Sequence, residues 1–486
     1  VASEKRFITA LPNNRFAACK PDAEEHMTPA HLEAFEAKMR QADLPREIID
    51  TFGDYYRQLV NGETGLINDA EIQPVADGEI PPLEALEDYV PAGAQALPRS
   101  VMIVLNGGLG TTMGLTRAKS LMRVKDGLTF LEIIVRQATR NRIRLALMNS
   151  FNTDRDTREA LARIAPAQAP LMFMQHKYPK VLRDGLAPAR WPADPELEWN
   201  PPGHGDVFMA LWVSGTLDRL LEEGIRYALI RNVDNLGATM EEALLGYLAA
   251  ENLPFMMEVA LKTPSDVKGG HIARHRSGRL ILREAAQCPP EQMAAFTDIA
   301  RYRFFNTNNV WVNLEALRAL IRQSGRVRLP IILNPKTLDP RDAQSPPVYQ
   351  VETAMGAAIG LFEGAVAIRV PRTRFIPVKS TNELLAVRSD CYVFSDRQLL
   401  VPNPQRTVEE IQIRLDPAFF GHREMFNARI PAGGEPSLKD CRSLSVTGDV
   451  RFEPGVRLVG TVRITNNGRT QAVVPSGSVI EGDMVL

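Results

Sequence analysis

A run of glycines and one lysine offer the most legible chemistry in this chain. Asn106-Gly107-Gly108-Leu109-Gly110-Thr111-Thr112-Met113-Gly114 has four glycines in the eight positions from Gly107, and Lys119 follows within reach of the same point. Glycines let backbone N–H groups converge and let a bulky anion approach without Cβ atoms in the way. An ammonium folding back onto that anion completes a phosphate cradle. Just ahead, Val101 to Leu105 is apolar without interruption and preceded by Pro98, which suits a strand buried on both faces of a parallel sheet. Strand, glycine turn and lysine together predict a nucleotide phosphate site.

The common cradles do not fit. A P-loop needs a lysine directly after its last glycine, and neither Gly110 nor Gly114 has one. In the dinucleotide fingerprint read from Gly108 and Gly110, the third glycine would fall at Met113. Leu105-Asn106-Gly107-Gly108-Leu109-Gly110-Thr111-Thr112-Met113-Gly114, followed by Lys119-Ser120-Leu121, instead resembles the signature loop of the nucleoside-diphosphate-sugar pyrophosphorylases. Within them it is similar to the eukaryotic-type UTP–glucose-1-phosphate uridylyltransferase family. The resemblance runs through collinear blocks over residues 100–390. It departs at Thr116-Arg117-Ala118, where that family often has Lys-Gly-Pro, and in the proline-rich stretch 180–200.

Other polar groups stand where such a reaction needs them. Gln175 closes a strand candidate, and an amide there matches both N3–H and O4 of uracil; a solvated glutamine is the structural alternative. Pro201-Pro202-Gly203-His204-Gly205 is a rigid turn before a helix, in which His204 could also serve as a cap. Asp234, after the strand candidate Tyr227–Asn232, is a hard oxygen ligand suited to Mg²⁺, or the acceptor of an Asx turn with its own backbone. Asn306 and Asn308 set amides in a row, as hexose hydroxyls require, with Gly270 and Glu352 in further motifs. Lys379, just ahead of a helix capped by Ser380 or Thr381, would occupy a good anion site. The resemblance implies roles for each. Lys119 and Lys379 act on the phosphates, and Leu105, Asn106, Gly107, Gly108, Gln175, Gly203 and Asn232 bind the nucleotide. His204, Gly270, Asn306, Asn308 and Glu352 bind the sugar phosphate, and Asp234 binds Mg²⁺.

The elements that position these groups alternate in the manner of an α/β domain. Thr129 to Glu132 is a capping box, with Leu131, Ile134 and Val135 as the apolar stripe of its helix. Strand candidates at 145–148, 170–175, 227–232 and 255–261 are interleaved with helices over 208–221 and 239–251. Residues 20–90 read as helical, with Thr28 as N-cap and Pro29 at the first helical position. The stretch 74–98 reads as a surface connector. From about Arg451 a near-hexapeptide alternation predicts a short left-handed β-helix.

Bulk properties close off other classes. The chain has 486 residues, too many for one core, with 44% hydrophobic and 24% charged residues and a net charge of −1. That balance gives no basic field for nucleic acid or an anionic membrane. No apolar run approaches a membrane span, no signal-peptide core shows near the start, and an opening Val1 in place of Met leaves room for processed or missing residues. Cys19, Cys288, Cys391 and Cys441 are widely spaced, as reduced thiols in a cytoplasm would be.

The expected architecture is therefore a helical region at 1–95, a Rossmann-like, GT-A-like mixed sheet with flanking helices at 96–395, and a β-helix domain at 396–486. By resemblance, the reaction converts UTP and glucose 1-phosphate to UDP-glucose and pyrophosphate with Mg²⁺, and the C-terminal domain is a candidate contact for a second copy. The alternatives are a UDP-sugar or UDP-N-acetylhexosamine pyrophosphorylase, or a non-catalytic UTP- or UDP-sugar-binding regulator.

Overall fold

The computed structural model describes residues 31–167 and 169–486. The expected Thr28 cap and Pro29, together with Cys19, lie outside the described residues. Among those described, ten strands form one mixed sheet. In chain order they are β1 (Ile72–Pro74), β2 (Ser100–Asn106), β3 (Arg144–Asn149), β4 (Leu171–Met174), β5 (Tyr227–Asn232), β6 (Phe255–Leu261), β7 (His271–His275), β8 (Leu280–Arg283), β9 (Phe304–Asn313) and β10 (Val366–Arg369). The spatial path is β1-β7-β9-β5-β2-β3-β4, with β8 on β7, and β6 on β9 leading to β10.

Strand β2 is buried along its whole length, as its uninterrupted apolar run requires. Met102 and Val104 enter one hydrophobic layer, while Val101, Ile103 and Leu105 enter the other. Its neighbours β5 and β3 are both parallel to it, with Leu105 opposite Asn232 on one side and Met148 on the other. β4 continues the parallel set, with Phe173 opposite Met148. The carboxyl ends of β2, β3, β4 and β5 thus share one edge, where open α/β sheets bind ligands.

Four expectations change, beginning with 20–90: no described α-helix lies between Val60 and Val90, and Ile72–Pro74 joins the sheet as strand β1. The 208–221 segment is two helices, Val207–Val213 and Thr216–Glu222, because Gly215 takes a φ of +70° and ends the first. The apolar period runs through this break, so the pattern alone does not reveal it. The helix expected over 239–251 is shorter, Glu242–Ala250. Residues 74–98 are more than a connector: Val90–Ala96 forms a helix with proline in its first turn. It lies so close to helix Glu242–Ala250 that a Cβ on Gly93 would collide with the Glu242 carbonyl. The Thr129 capping box is present, with Glu132 N–H donating to Thr129 Oγ1 at 3.2 Å.

The C-terminal region stacks β11 (Gln412–Leu415), β12 (Ser437–Thr447), β14 (Arg457–Thr465) and β16 (Val479–Val485) in one parallel ladder. A second parallel pair joins β13 (Val450–Phe452) to β15 (Ala472–Val474). Leu444, Val446, Val462 and Ile464 line up in register and belong to the same hydrophobic layer as Met102 and Val104. The ladder is therefore packed onto one side of the central sheet. The other layer takes in Phe35, Phe52 and Tyr56 of the N-terminal helices.

Candidate active site

The glycine loop leaves β2 with its base locked. Asn106 is fully buried, and its amide nitrogen donates to Asn149 Oδ1 and Thr157 Oγ1, both at 2.8 Å. Its side-chain nitrogen thus holds the loop. Thr153 Oγ1 donates to the Asn106 carbonyl at 2.7 Å, and Ser150 Oγ to the Gly107 carbonyl at 2.8 Å. Leu105 accepts from Val233 N–H at 3.2 Å, which ties the loop to the exit of β5. Gly108 accepts from Lys119 N–H at 3.0 Å, so the turn brings the lysine back over the glycines. Where Thr116-Arg117-Ala118 replaces the Lys-Gly-Pro pattern, Arg117 and the Ala118 N–H both bond Asp156.

Lys119 Nζ meets Asp234 Oδ2 at 2.6 Å, with both side chains nearly buried. The Asx turn here belongs to Asn235, whose Oδ1 accepts from Gly237 N–H at 3.2 Å. Asp234 is thereby left with its carboxylate on the lysine. Asn232, the last residue of β5, stands half-buried beside Leu105.

Gln175 is buried rather than solvated: its Nε2 donates to the Gly203 carbonyl at 2.8 Å. A Cβ on Gly107 would stand 2.6 Å from Gln175 Oε1, so this glycine makes room for the amide. Gly203 has a φ of +76° and lies against Thr353, a position closed to other residues. Thr353 N–H donates to the Pro202 carbonyl and Gly205 N–H to the Thr353 carbonyl, at 2.8 and 2.9 Å. His204 Nδ1 accepts from Met355 N–H at 3.0 Å, so a neutral ring carries its proton on Nε2. Burial, and then the Lys379 ammonium, push the His204 pKa down to about 4. At neutral pH it is an uncharged donor.

On the other flank, Asn306 N–H donates to the Gly270 carbonyl at 2.8 Å, and Asn306 Nδ2 to Asn308 Oδ1 at 2.8 Å. Asn308 returns its N–H to Asn306 Oδ1 at 3.0 Å, with φ at +58°. The carboxylate next to this pair is Glu284, which the sequence reading missed. It packs against Gly270 so closely that a side chain there would collide with it. Burial raises its pKa, and the Lys379 charge and a bond from Asn306 pull it back. Glu352 lies elsewhere, beside Gly203 and taking a bond from Asn334 Nδ2 at 3.3 Å, its pKa also raised by burial. Glu284 directly follows the strand Leu280–Arg283, and only the register of β7 on β8, with His271 opposite Arg283, brings it to Gly270.

Lys379 is delivered by a buried polar knot. Glu258, fully buried in β6, accepts from Trp311 Nε1 at 2.8 Å, Asn309 Nδ2 at 3.0 Å, and Arg374 Nε and Nη2 at 2.8 and 2.6 Å. The Arg374 carbonyl accepts from Asn235 Nδ2 at 3.1 Å, and Ile376 N–H donates to Asn235 Oδ1 at 2.8 Å. Val378 N–H donates to the Asp234 carbonyl at 3.1 Å. The segment 374–378 is thus stitched to the end of β5, and Lys379 emerges beside Asp234. Ser380 caps the next helix, with Glu383 completing a capping box. The signal in the sequence was Glu258 itself, a lone charge inside an apolar strand.

A mixed sheet with a glycine loop, a lysine–aspartate pair and a second lysine at its carboxyl edge defines a nucleotidyltransferase. Residues 49–459 match the family described as UTP–glucose-1-phosphate uridylyltransferase. The UTP–glucose-1-phosphate uridylyltransferase of Solanum tuberosum is 39% identical over 435 residues, covering 87% of this chain and 89% of the relative. That of Saccharomyces cerevisiae is 38% identical over 415 residues, covering 81% and 79%. A mutant UDP-glucose pyrophosphorylase from Leishmania major, solved in complex with UDP-glucose, superposes with a TM-score of 0.87 at 41% identity, covering 94% of this chain and 99% of that one. The chain belongs to the UTP–glucose-1-phosphate uridylyltransferase family.

Proposed function

We propose that this protein transfers the uridylyl group of UTP to α-D-glucose 1-phosphate, giving UDP-glucose and pyrophosphate, reversibly. One observation carries the reading. The Lys119–Asp234 pair joins the loop holding Gly107 and Gly108 to the segment holding Lys379, whose charge reaches His204 and Glu284. Phosphate-binding, base-reading and sugar-binding groups are thereby linked in one constellation.

The sugar phosphate is already an anion, so no general base is needed. Its oxygen attacks the α-phosphorus in line; the new O–P bond forms as the bond to the bridging oxygen breaks, and pyrophosphate leaves with that electron pair. Lys119 and Lys379 neutralise charge on the transferring and leaving phosphates, and the loop amides position them. Gln175, Gly203 and Asn232 take the base and ribose side. Asn306, Asn308, Gly270 and Glu284 take the hexose, and His204 donates from Nε2 to its phosphate. Glu352 supports Gly203 from the side.

Among the described residues no group of three or more His, Cys, Asp or Glu gathers to hold a metal. Mg²⁺ is held by one or two carboxylates with water and substrate phosphate oxygens completing the shell, so Asp234 alone fits it. When bound there it would add positive charge at the phosphates.

The parallel ladders at the C-terminus fit a short left-handed β-helix, and we divide the chain at about residues 95 and 395. The outer edge of β16, with Val479 and Val485 exposed, suits contact with a second copy, which light scattering would register. Among the described residues no helix is long and apolar enough to cross a membrane. The buried free thiols of Cys288, Cys391 and Cys441 fit a cytoplasmic setting.

The test is pyrophosphate release from UTP and Mg²⁺ with a panel of sugar 1-phosphates. Glucose 1-phosphate should turn over fastest. Faster release with N-acetylglucosamine 1-phosphate would move the substrate to hexosamines, and UTP binding with no turnover would make the protein a regulator.

A further inference from the structure

In the proposed function Gln175 faces the nucleobase, and its base selectivity rests on that assignment. A terminal amide does not by itself choose a base. Facing one way, it accepts from N3–H and donates to O4 of uracil. Flipped, it donates to N3 and accepts from the N4 amino group of cytosine.

The structure removes that freedom. The Gly203 carbonyl can only accept, and Gln175 Nε2 lies 2.8 Å from it. With the nitrogen held there, Oε1 is turned toward Gly107, where no side chain obstructs it. A flip would set two acceptors, Oε1 and the Gly203 oxygen, against each other. The orientation therefore depends on where the Gly203 carbonyl stands, and the turn Gly203–Asp206 is itself clamped. Asp206 N–H donates to the same carbonyl at 3.3 Å. The buried Asp206 carboxylate accepts from His176 N–H at 2.7 Å, and both of its oxygens lie 3.0 Å from His176 Nδ1. Because a carboxylate only accepts, that ring nitrogen carries the proton.

His176 directly follows Gln175, so a closed ring of bonds runs from Gln175 to Gly203, along the turn to Asp206, and back through His176. The transfer chemistry uses neither His176 nor Asp206. We infer that the His176–Asp206 pair is a specificity device: it holds the Gly203 carbonyl against Gln175 and so fixes the amide in the orientation that reads uracil and rejects cytosine. Both are positioning residues, acting through Gln175.

The experiment compares kcat/KM for UTP and for CTP, each with glucose 1-phosphate, in the wild-type protein and in Asp206→Ala, His176→Ala and Asp206→Asn. An asparagine can still accept from His176 N–H and, with the other tautomer, donate to Nδ1, so it should restore the clamp. The UTP-to-CTP ratio should fall by about tenfold or more in both alanine variants, as a freed amide pairs with either base. It should return toward wild type in Asp206→Asn, and KM for glucose 1-phosphate should stay unchanged throughout. A pair that only props up the turn would lower both rates together and leave the ratio alone. An unaltered ratio in folded His176→Ala overturns the inference; should Asp206→Ala fail to fold, His176→Ala decides alone. A wild-type protein that transfers no uridylyl group would sink the proposed function instead. One that prefers UTP while its variants keep the same ratio would sink only the clamp.

Discussion

In the proposed function, the nucleotide side and the sugar-phosphate side of the cleft are built on different principles. On the nucleotide side most polar groups pair with one another: Gln175 on Gly203, Ser150 on Gly107, His176 on Asp206, and the Asn106 amide nitrogen on Asn149 and Thr157. On the sugar-phosphate side, Glu284 and His204 lie largely buried with few bonds of their own, while the Lys379 side chain is exposed. Burial raises the Glu284 pKa, His204 is kept neutral with a pKa of about 4, and Lys379 Nζ stands 5.9 Å from the centre of the Phe375 ring. A paired network fixes geometry, whereas a buried carboxyl and a neutral ring near an ammonium keep hydrogen-bonding capacity open to a ligand. In the proposed function, base selection is therefore a matter of orientation, and hexose-phosphate binding a matter of hydrogen-bonding groups set beside a lysine.

Substitutions can break this contrast. The largest effect is expected at the knot both sides share. Glu258→Ala leaves Arg374 buried without its carboxylate and should cost about 3–5 kcal/mol of stability, read as a lower urea midpoint. An unshifted midpoint would mean that the knot does not hold the cleft together. Lys119→Ala should lower kcat by about 10²–10³-fold with the fold intact, since a charge-stabilising donor is lost. Near-normal turnover would remove it from the mechanism. Glu284→Gln sharpens the comparison: kcat/KM for glucose 1-phosphate should fall by about 10–100-fold, from the ~1.5–3 kcal/mol of a hydrogen bond to a charged group. KM for UTP should not move, and an equal loss for both substrates would erase the distinction between the sides.

A further effect concerns pH. Because the folded His204 pKa of about 4 lies below its ordinary 6.5, the unfolded chain binds the extra proton first on acidification. Its share of stability is complete above about pH 6.5 and is lost as pH falls toward 4. Denaturation midpoints measured across that window should show a gentler decline in His204→Gln than in wild type, and parallel curves would contradict it.

Much of the geometry around the glycine loop could be read in the sequence because it is built from contiguous residues. The glycine loop, the strand Tyr227–Asn232 and the Pro-Pro-Gly-His-Gly turn each carry their geometry locally. The sugar side was less legible. Glu284 reaches Gly270 only through an antiparallel register between strands β7 and β8, and Glu258 joins Arg374 across 116 positions of chain. No periodicity encodes either. The break at Gly215 was missed for a related reason, since the apolar spacing of residues 208–221 persists across it. In the C-terminal region the alternation from about Arg451 reads as a short left-handed β-helix; the observed parallel ladder already begins at Gln412, and no pattern foretold that Leu444 and Val446 would share a hydrophobic layer with Met102 and Val104 of the central sheet.

A crystal structure of this protein with UDP-glucose would test the two-sided cleft most directly. The uracil edge should lie on Gln175, the phosphates within reach of Lys119 and Lys379, and hexose hydroxyls bonded to Glu284 and Asn306. A hexose bound away from Glu284, or phosphates out of reach of both lysines, would contradict it.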